Sequence, residues 1–261
     1  LRRRQRQMCI RDRKYIPSIL LFFFLLSFSS CSTKTVEPEL PDANPPAPVI
    51  PEEPIPEKEK MLWFDAEANF ERFSKKENIT YYLDLAKSTG FNKIVVDVRP
   101  VQGDALFKSS YLTPLTDLAG IHIERDWDYL QFFIDEAHKR ELKVTVSTTI
   151  FTAGLPSSKN GMAYRDDTWN GKTCLEYTKD QGLIDIKNDK TKVSAFLNPV
   201  LPEVQDFCLN FMKELVTNYD FDGFALDYCR YPGDESDFSE TTKVTFEQYI
   251  GCLLYTSPSP R

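Results

Sequence analysis

Residues 93–99 read KIVVDVR, from Lys93 to Arg99, and the alternation within this stretch decides the fold. A run of β-branched residues stopped by Pro100 reads as a buried strand. Side chains along a strand point alternately to its two faces. Ile94, Val96 and Val98 form one apolar row, suited to a cover of helices, while Val95, Asp97 and Arg99 form the other and end in charge. Two further stretches repeat the plan. Residues 142–151 (LKVTVSTTIF) send Val144, Val146, Thr148 and Ile150 to the helix side and Thr145, Ser147, Thr149 and Phe151 to the opposite side. Residues 221–228 (FDGFALDY) send Phe224, Leu226 and Tyr228 outward and Gly223, Ala225 and Asp227 inward. Residues 60–65 (KMLWFD) supply a shorter strand ahead of them.

Helical patterns separate these strands. Ile79, Tyr82, Leu83 and Ala86 share a face, with Asn78 as the expected N-cap and Gly90 as the stop. Asp126 is the expected cap of a helix that turns Trp127, Leu130, Ile134 and Ala137 inward. Pro202 opens a helix with Val204, Cys208, Phe211, Leu215 and Tyr219 on one stripe. Residues 245–250 begin another, and residues 152–201 read as a long, loop-rich insertion. Strands alternating with helices imply a parallel sheet, either open and doubly wound or closed into a barrel. No glycine-rich phosphate loop follows any strand, which weakens the nucleotide-binding open sheet and leaves no cofactor to expect. Polar residues Asp65, Asp97, Arg99, Thr149 and Asp227 collect instead at strand C-terminal ends, where a barrel carries its chemistry. The expected fold is therefore α/β, a (β/α)8 TIM barrel of which about the first four β/α units occupy residues 60–250.

The composition narrows the function. The 261 residues are 41% hydrophobic and 13% aromatic, enough for a packed core. The net charge of −7 argues against a nucleic-acid partner. Residues 1–13 alone hold six Arg against one Asp, so the body is more acidic than the total suggests. With only His122 and His138, a His-rich metal centre is excluded and a Ser-His-Asp hydrolase is disfavoured; no metal is expected beyond an oxygen-ligated ion. Cys174, Cys208 and Cys229 show no CxxC spacing, so a zinc site is not expected, and they read as small buried hydrophobes.

The ends carry signals of another kind. Residues 1–13 and 251–261 lack hydrophobic periodicity, resemble translated sequencing-adaptor text and are set apart from the fold. The barrel is expected to continue past Ile250. Residues 14–30 read as a signal peptide: Lys14, then an apolar stretch too short to span a bilayer, then Ser29 and Ser30. The Ser-Ser-Cys that follows resembles a bacterial lipobox, making Cys31 the expected lipid-attachment site. Residues 31–59 form a Pro- and Glu-rich tether. The protein is thus expected in the bacterial cell envelope, held to a membrane through Cys31.

The string from Tyr219 to Pro232, YDFDGFALDYCRYP, resembles the Y-x-x-D-G-x-x-x-D-x-x-R-Y-P signature of the glycosyl hydrolase-like family 10 domain. Residues 91–109, the Leu197-Asn198-Pro199 run and residues 61–64 agree with other parts of that family. The resemblance covers roughly residues 60–250. It implies a TIM-barrel hydrolase of glycosidic bonds, often an exported lipoprotein, with some relatives linked to peptidoglycan glycan strands. Glycosidic bonds are usually cut by two carboxyl groups, one donating a proton and one attacking or activating water. Asp227 is the expected catalytic residue, ionised and poised by Arg99 or Arg230. By analogy its partner acid comes from a later strand, with Asp97 or Asp65 as further candidates. Trp63, Asp65, Asp97, Arg99, Arg230 and Tyr231 are the expected substrate contacts, and Tyr111, Phe151 and Trp169 are further rings near the rim. The expected partner is a carbohydrate polymer or oligosaccharide. A non-catalytic carbohydrate-binding lipoprotein on the same scaffold is the alternative.

Overall fold

The computed structural model describes residues 58–254. The expected leader, Cys31, nearly all of the tether and residues 255–261 lie outside the described residues. Four strands lie parallel in chain order: β1 (Met61–Phe64), β2 (Lys93–Arg99), β3 (Lys143–Thr149) and β4 (Gly223–Asp227). Between and after them run α1 (Lys76–Ser88), α2 (Tyr129–His138), α3 (Pro202–Asn218) and α4 (Glu240–Ile250). A strand order that never reverses means that right-handed crossovers lay every helix on one face. A doubly wound sheet would require a reversal. This is (β/α)8 barrel winding, present for four units.

One core fixes which face is the outer wall. Ile94, Val96 and Val98 of β2 and Val144 and Val146 of β3 pack with Ile79 and Leu83 of α1, Leu130, Phe133 and Ile134 of α2, and Val204, Phe211 and Leu215 of α3. Each such side chain stabilises the fold by roughly 1.5–3 kcal/mol when fully buried. A slip of one residue would expose the whole row. The outer row of β4 departs from expectation. Leu226 is 51% exposed, because α4 buries none of its own residues and does not cover it.

The helix starts also differ from the sequence reading. α1 begins after Lys75, and Asn78 donates instead to the Arg72 carbonyl at 2.7 Å. α2 is capped by Asp128, whose Oδ1 accepts from the Gln131 amide, rather than by Asp126. Pro202 does open α3. Gly251, at the head of the segment set apart as foreign, closes α4 in the left-handed region at φ +63°.

The insertion between β3 and α3 carries a single helical turn (Met162–Arg165) and a hairpin of Leu175–Thr178 against Gly182–Asp185. Buried polar groups hold it down. Arg165 Nη2 reaches both oxygens of the buried Asp104 at 2.8 and 2.9 Å. The buried carboxylate of Asp237, in the β4–α4 loop, accepts from the Leu175 amide, Asn198 Nδ2 and the Ser239 and Thr242 hydroxyls. Unpaired buried charge is costly, so these bonds tie the insertion to the loop after β4.

Candidate active site

The register builds the inner face in layers. Trp63, Val95, Thr145 and Gly223 lie abreast, and one layer nearer the strand C-termini lie Asp97, Ser147 and Ala225. Thr149 pairs with Asp227 above them. Beyond Trp63 and Val95 the row is small and polar, and at Gly223 the neighbouring Thr145 leaves no room for a side chain. A Cβ at Gly223 would stand 2.6 Å from Thr145 Oγ1.

Asp97 and Asp227 occupy the inner mouth as the alternation of their strands anticipates. Asp97 Oδ2 accepts from Trp63 Nε1 at 2.9 Å. Burial raises the Asp97 pKa above its ordinary value, the Trp63 and Ser147 hydrogen bonds pull it back, and the charge of Asp65 pushes it up again. Asp65 follows β1 directly and caps a turn through the Ala68 amide at 2.7 Å. Glu67 joins the group, a residue absent from the sequence-derived set. Its Oε1 accepts from the Val101 amide at 3.0 Å, and burial, with repulsion from Asp65 and Asp97, raises its pKa. Nothing in the sequence around Glu67 distinguishes it from the other exposed acids. Among the described residues no group of three or more His, Cys, Asp or Glu is arranged to hold a metal ion.

Arg99 lies elsewhere than expected. Asp97 pairs with Ser147 but Arg99 pairs with Thr148, so Val98 is an extra residue in β2, a bulge. The alternation flips, and Arg99 turns out of the inner row. Its guanidinium lies 5.1 Å over the Phe211 ring of α3 and is 1% exposed. Nη1 donates to the Thr149 carbonyl and hydroxyl, and Nη2 to the Thr152 carbonyl. Burial lowers its pKa to about 10. Arg99 thus fastens the C-terminal end of β3 beneath the mouth, with no surface left for substrate.

Asp227 has neither expected arginine beside it. Arg230 folds over the Tyr228 ring and donates to the Tyr231 and Pro232 carbonyls. Among the described residues Asp227 forms no ion pair; its Oδ1 accepts from the Tyr228 amide at 2.7 Å. Tyr228 has φ +45°, a sharp turn that takes its ring away from the helices and against Phe196 of the insertion. Tyr231 packs half-buried on the same cluster. Trp63 is 51% exposed on the inner face, and Tyr111 is also exposed. Trp169 packs on Phe207 at 4.7 Å and Phe151 is half-buried, so both are packing residues.

Parallel β/α winding with carboxylates at the strand C-termini defines a domain of the TIM-barrel type. Residues 59–258 match the glycosyl hydrolase-like 10 family, and the chain belongs to it. An S-layer-related protein of Niallia circulans is 34% identical over 202 residues, which cover 74% of this chain and 12% of that protein. Glycosyl hydrolase DigH of Escherichia coli (strain K12) is 30% identical over 164 residues, 61% of this chain and 36% of that protein. The chain therefore spans well under half the length of either relative. The structure of alpha-L-fucosidase isoenzyme 2 from Paenibacillus thiaminolyticus aligns with TM-score 0.47 and 21% identity, over 68% of this chain and 23% of that one.

Proposed function

We propose that this domain is part of a glycoside hydrolase that cleaves O-glycosidic bonds in a bacterial cell-wall or other polysaccharide. The observation that carries the reading is the acidic inner mouth. Asp97 and Asp227 project from β2 and β4 over a row of hydroxyls and glycine, where a barrel interior ordinarily carries Val, Ile and Leu. Asp227 acts as the nucleophile or as the carboxylate that stabilises the oxocarbenium-like transition state. Asp97 holds a proton to higher pH than an ordinary aspartate and positions the sugar together with Trp63. The two strands are separated by one other, roughly 10 Å at the backbone from ordinary strand spacing, so a second catalytic acid from further along a complete barrel fits beside Asp227. In the full-length protein, Asp227→Asn is expected to lower turnover of a glycan substrate at least a hundredfold, with the melting temperature held. Turnover equal to the wild type would remove Asp227 from the chemistry.

A further inference from the structure

The hairpin of the insertion does not end at two strands. The Tyr177 amide donates to the Glu235 carbonyl at 3.0 Å, the Phe238 amide donates to the Leu175 carbonyl at 3.0 Å, and Glu176 bridges Ser236. The segment after β4 is thereby a third, antiparallel member of a small platform. Its two faces differ. On one, Glu176 is fully buried beside Lys192 Nζ at 2.8 Å. On the other, Tyr177 and Leu183 are directly paired and, with Phe238, stand 59%, 50% and 52% exposed. The three line a shallow, largely apolar groove of about 600 Å³ with Asp234 and Glu235 at its edge, the Glu235 carboxylate being paired with Lys192 Nζ.

We propose that this groove is an outlying sugar subsite, which stacks a pyranose of a neutral or amino-bearing polymer on Tyr177 and Phe238. The inference rests on the glycosidase reading above and names the substrate class of that same mouth. Three observations on the platform select this occupant. Flat exposed rings beside hydrogen-bond acceptors match a pyranose, which has apolar C–H faces and hydroxyl edges. The groove is built from the loops that follow β3 and β4, at the same end of the sheet as Asp227, and Asp234 lies only a short run of residues past it. The proposed path of a glycan chain therefore runs from the mouth along these loops to the platform. Finally, Asp65, Glu67, Asp97, Asp227 and Asp234 make this end of the molecule acidic, Glu235 being paired with Lys192, which disfavours a polyuronate. The rings are held ready by the buried Asp237 and Glu176 contacts beneath them, so little ordering cost falls on binding.

The test uses the full-length protein and two probes, long chito-oligosaccharides and polygalacturonate, with affinity measured by calorimetry. Tyr177→Ala/Phe238→Ala is expected to weaken chito-oligosaccharide binding about tenfold, in line with ring-stacking energies near 1.4 kcal/mol. Tyr177→Trp, which keeps a ring, is expected to retain binding and so separates stacking from misfolding. Polygalacturonate is expected to bind at least tenfold more weakly than the neutral probe. If the double alanine variant binds the neutral oligomer as well as the wild type does, the subsite is refuted and the glycosidase reading stands. If polygalacturonate binds equally well, the substrate class is refuted. If the wild type neither binds nor cuts any glycan, the glycosidase reading falls and the subsite falls with it.

Discussion

At Asp97 burial and the neighbouring charge of Asp65 favour the protonated acid, while the Trp63 indole and the Ser147 hydroxyl favour the carboxylate. Burial is the larger influence, so the folded chain binds this proton more tightly than the unfolded chain does. Linkage fixes the sign: the contribution to stability is complete below the unfolded pKa and is lost as pH rises through the raised folded value. Asp97→Asn keeps an oxygen for Trp63 but removes the titration. Relative to this variant, the wild type is expected to lose stability steadily between acid and neutral pH, followed through urea midpoints. A stability gap independent of pH would show that Asp97 does not titrate abnormally. Asp97 and Asp227 were legible from strand alternation alone. Arg99 was not, because counting by twos assumes an unbroken ladder, and the bulge at Val98 leaves no local signal in KIVVDVR. Glu67 was equally hidden: its partner is the Val101 amide, presented by a loop after a different strand.

At the scale of elements, β4 shows why an Asp-Gly pair opens the last strand. Asp222 Oδ2 accepts from the Val144 amide at 2.8 Å and faces His138 Nε2 at 3.0 Å, pinning β4 against β3 and α2 at the end away from the mouth. Gly223 then fits over Thr145 only because it has no side chain. Gly223→Ala forces either Thr145 or the strand to move, and is expected to destabilise the fold by about 1–3 kcal/mol as an overpacking change. Adding Thr145→Ala or Thr145→Gly should recover much of that loss in denaturant melts; no recovery would place the strain elsewhere. This half of the signature string is therefore a packing device, and Asp227, the residue proposed for the chemistry, is its other half. The strands and helices themselves followed from periodicity. The platform did not, because it joins Leu175–Thr178 to a segment about sixty residues later, and neither stretch alternates strongly enough to announce a strand.

Across the molecule, the acidic body and the one-sided helix cover suit a domain that presents a single working end. Among the described residues no helix is long and apolar enough to cross a membrane, and the attachment proposed for this protein lies at its leader. Cys31 is the residue proposed to supply it, after the apolar leader and ahead of the proline-rich stretch. In a bacterial host carrying the full-length gene, Cys31→Ser is expected to move the protein from the membrane pellet to the soluble fraction. A wild-type protein found soluble from the outset would discard the anchor.

The inserted Val98 has a consequence for how such a mouth changes over time. Its presence sets the parity of everything downstream in β2, and so decides on which side of the wall a permanent cation resides. Loss of that one codon would swing a guanidinium back among the carboxylates and partly cancel their field. On the glycosidase reading proposed above, preference for uncharged or anionic sugars is therefore open to revision by a single-residue deletion, without exchanging any of the acids proposed to face the sugar.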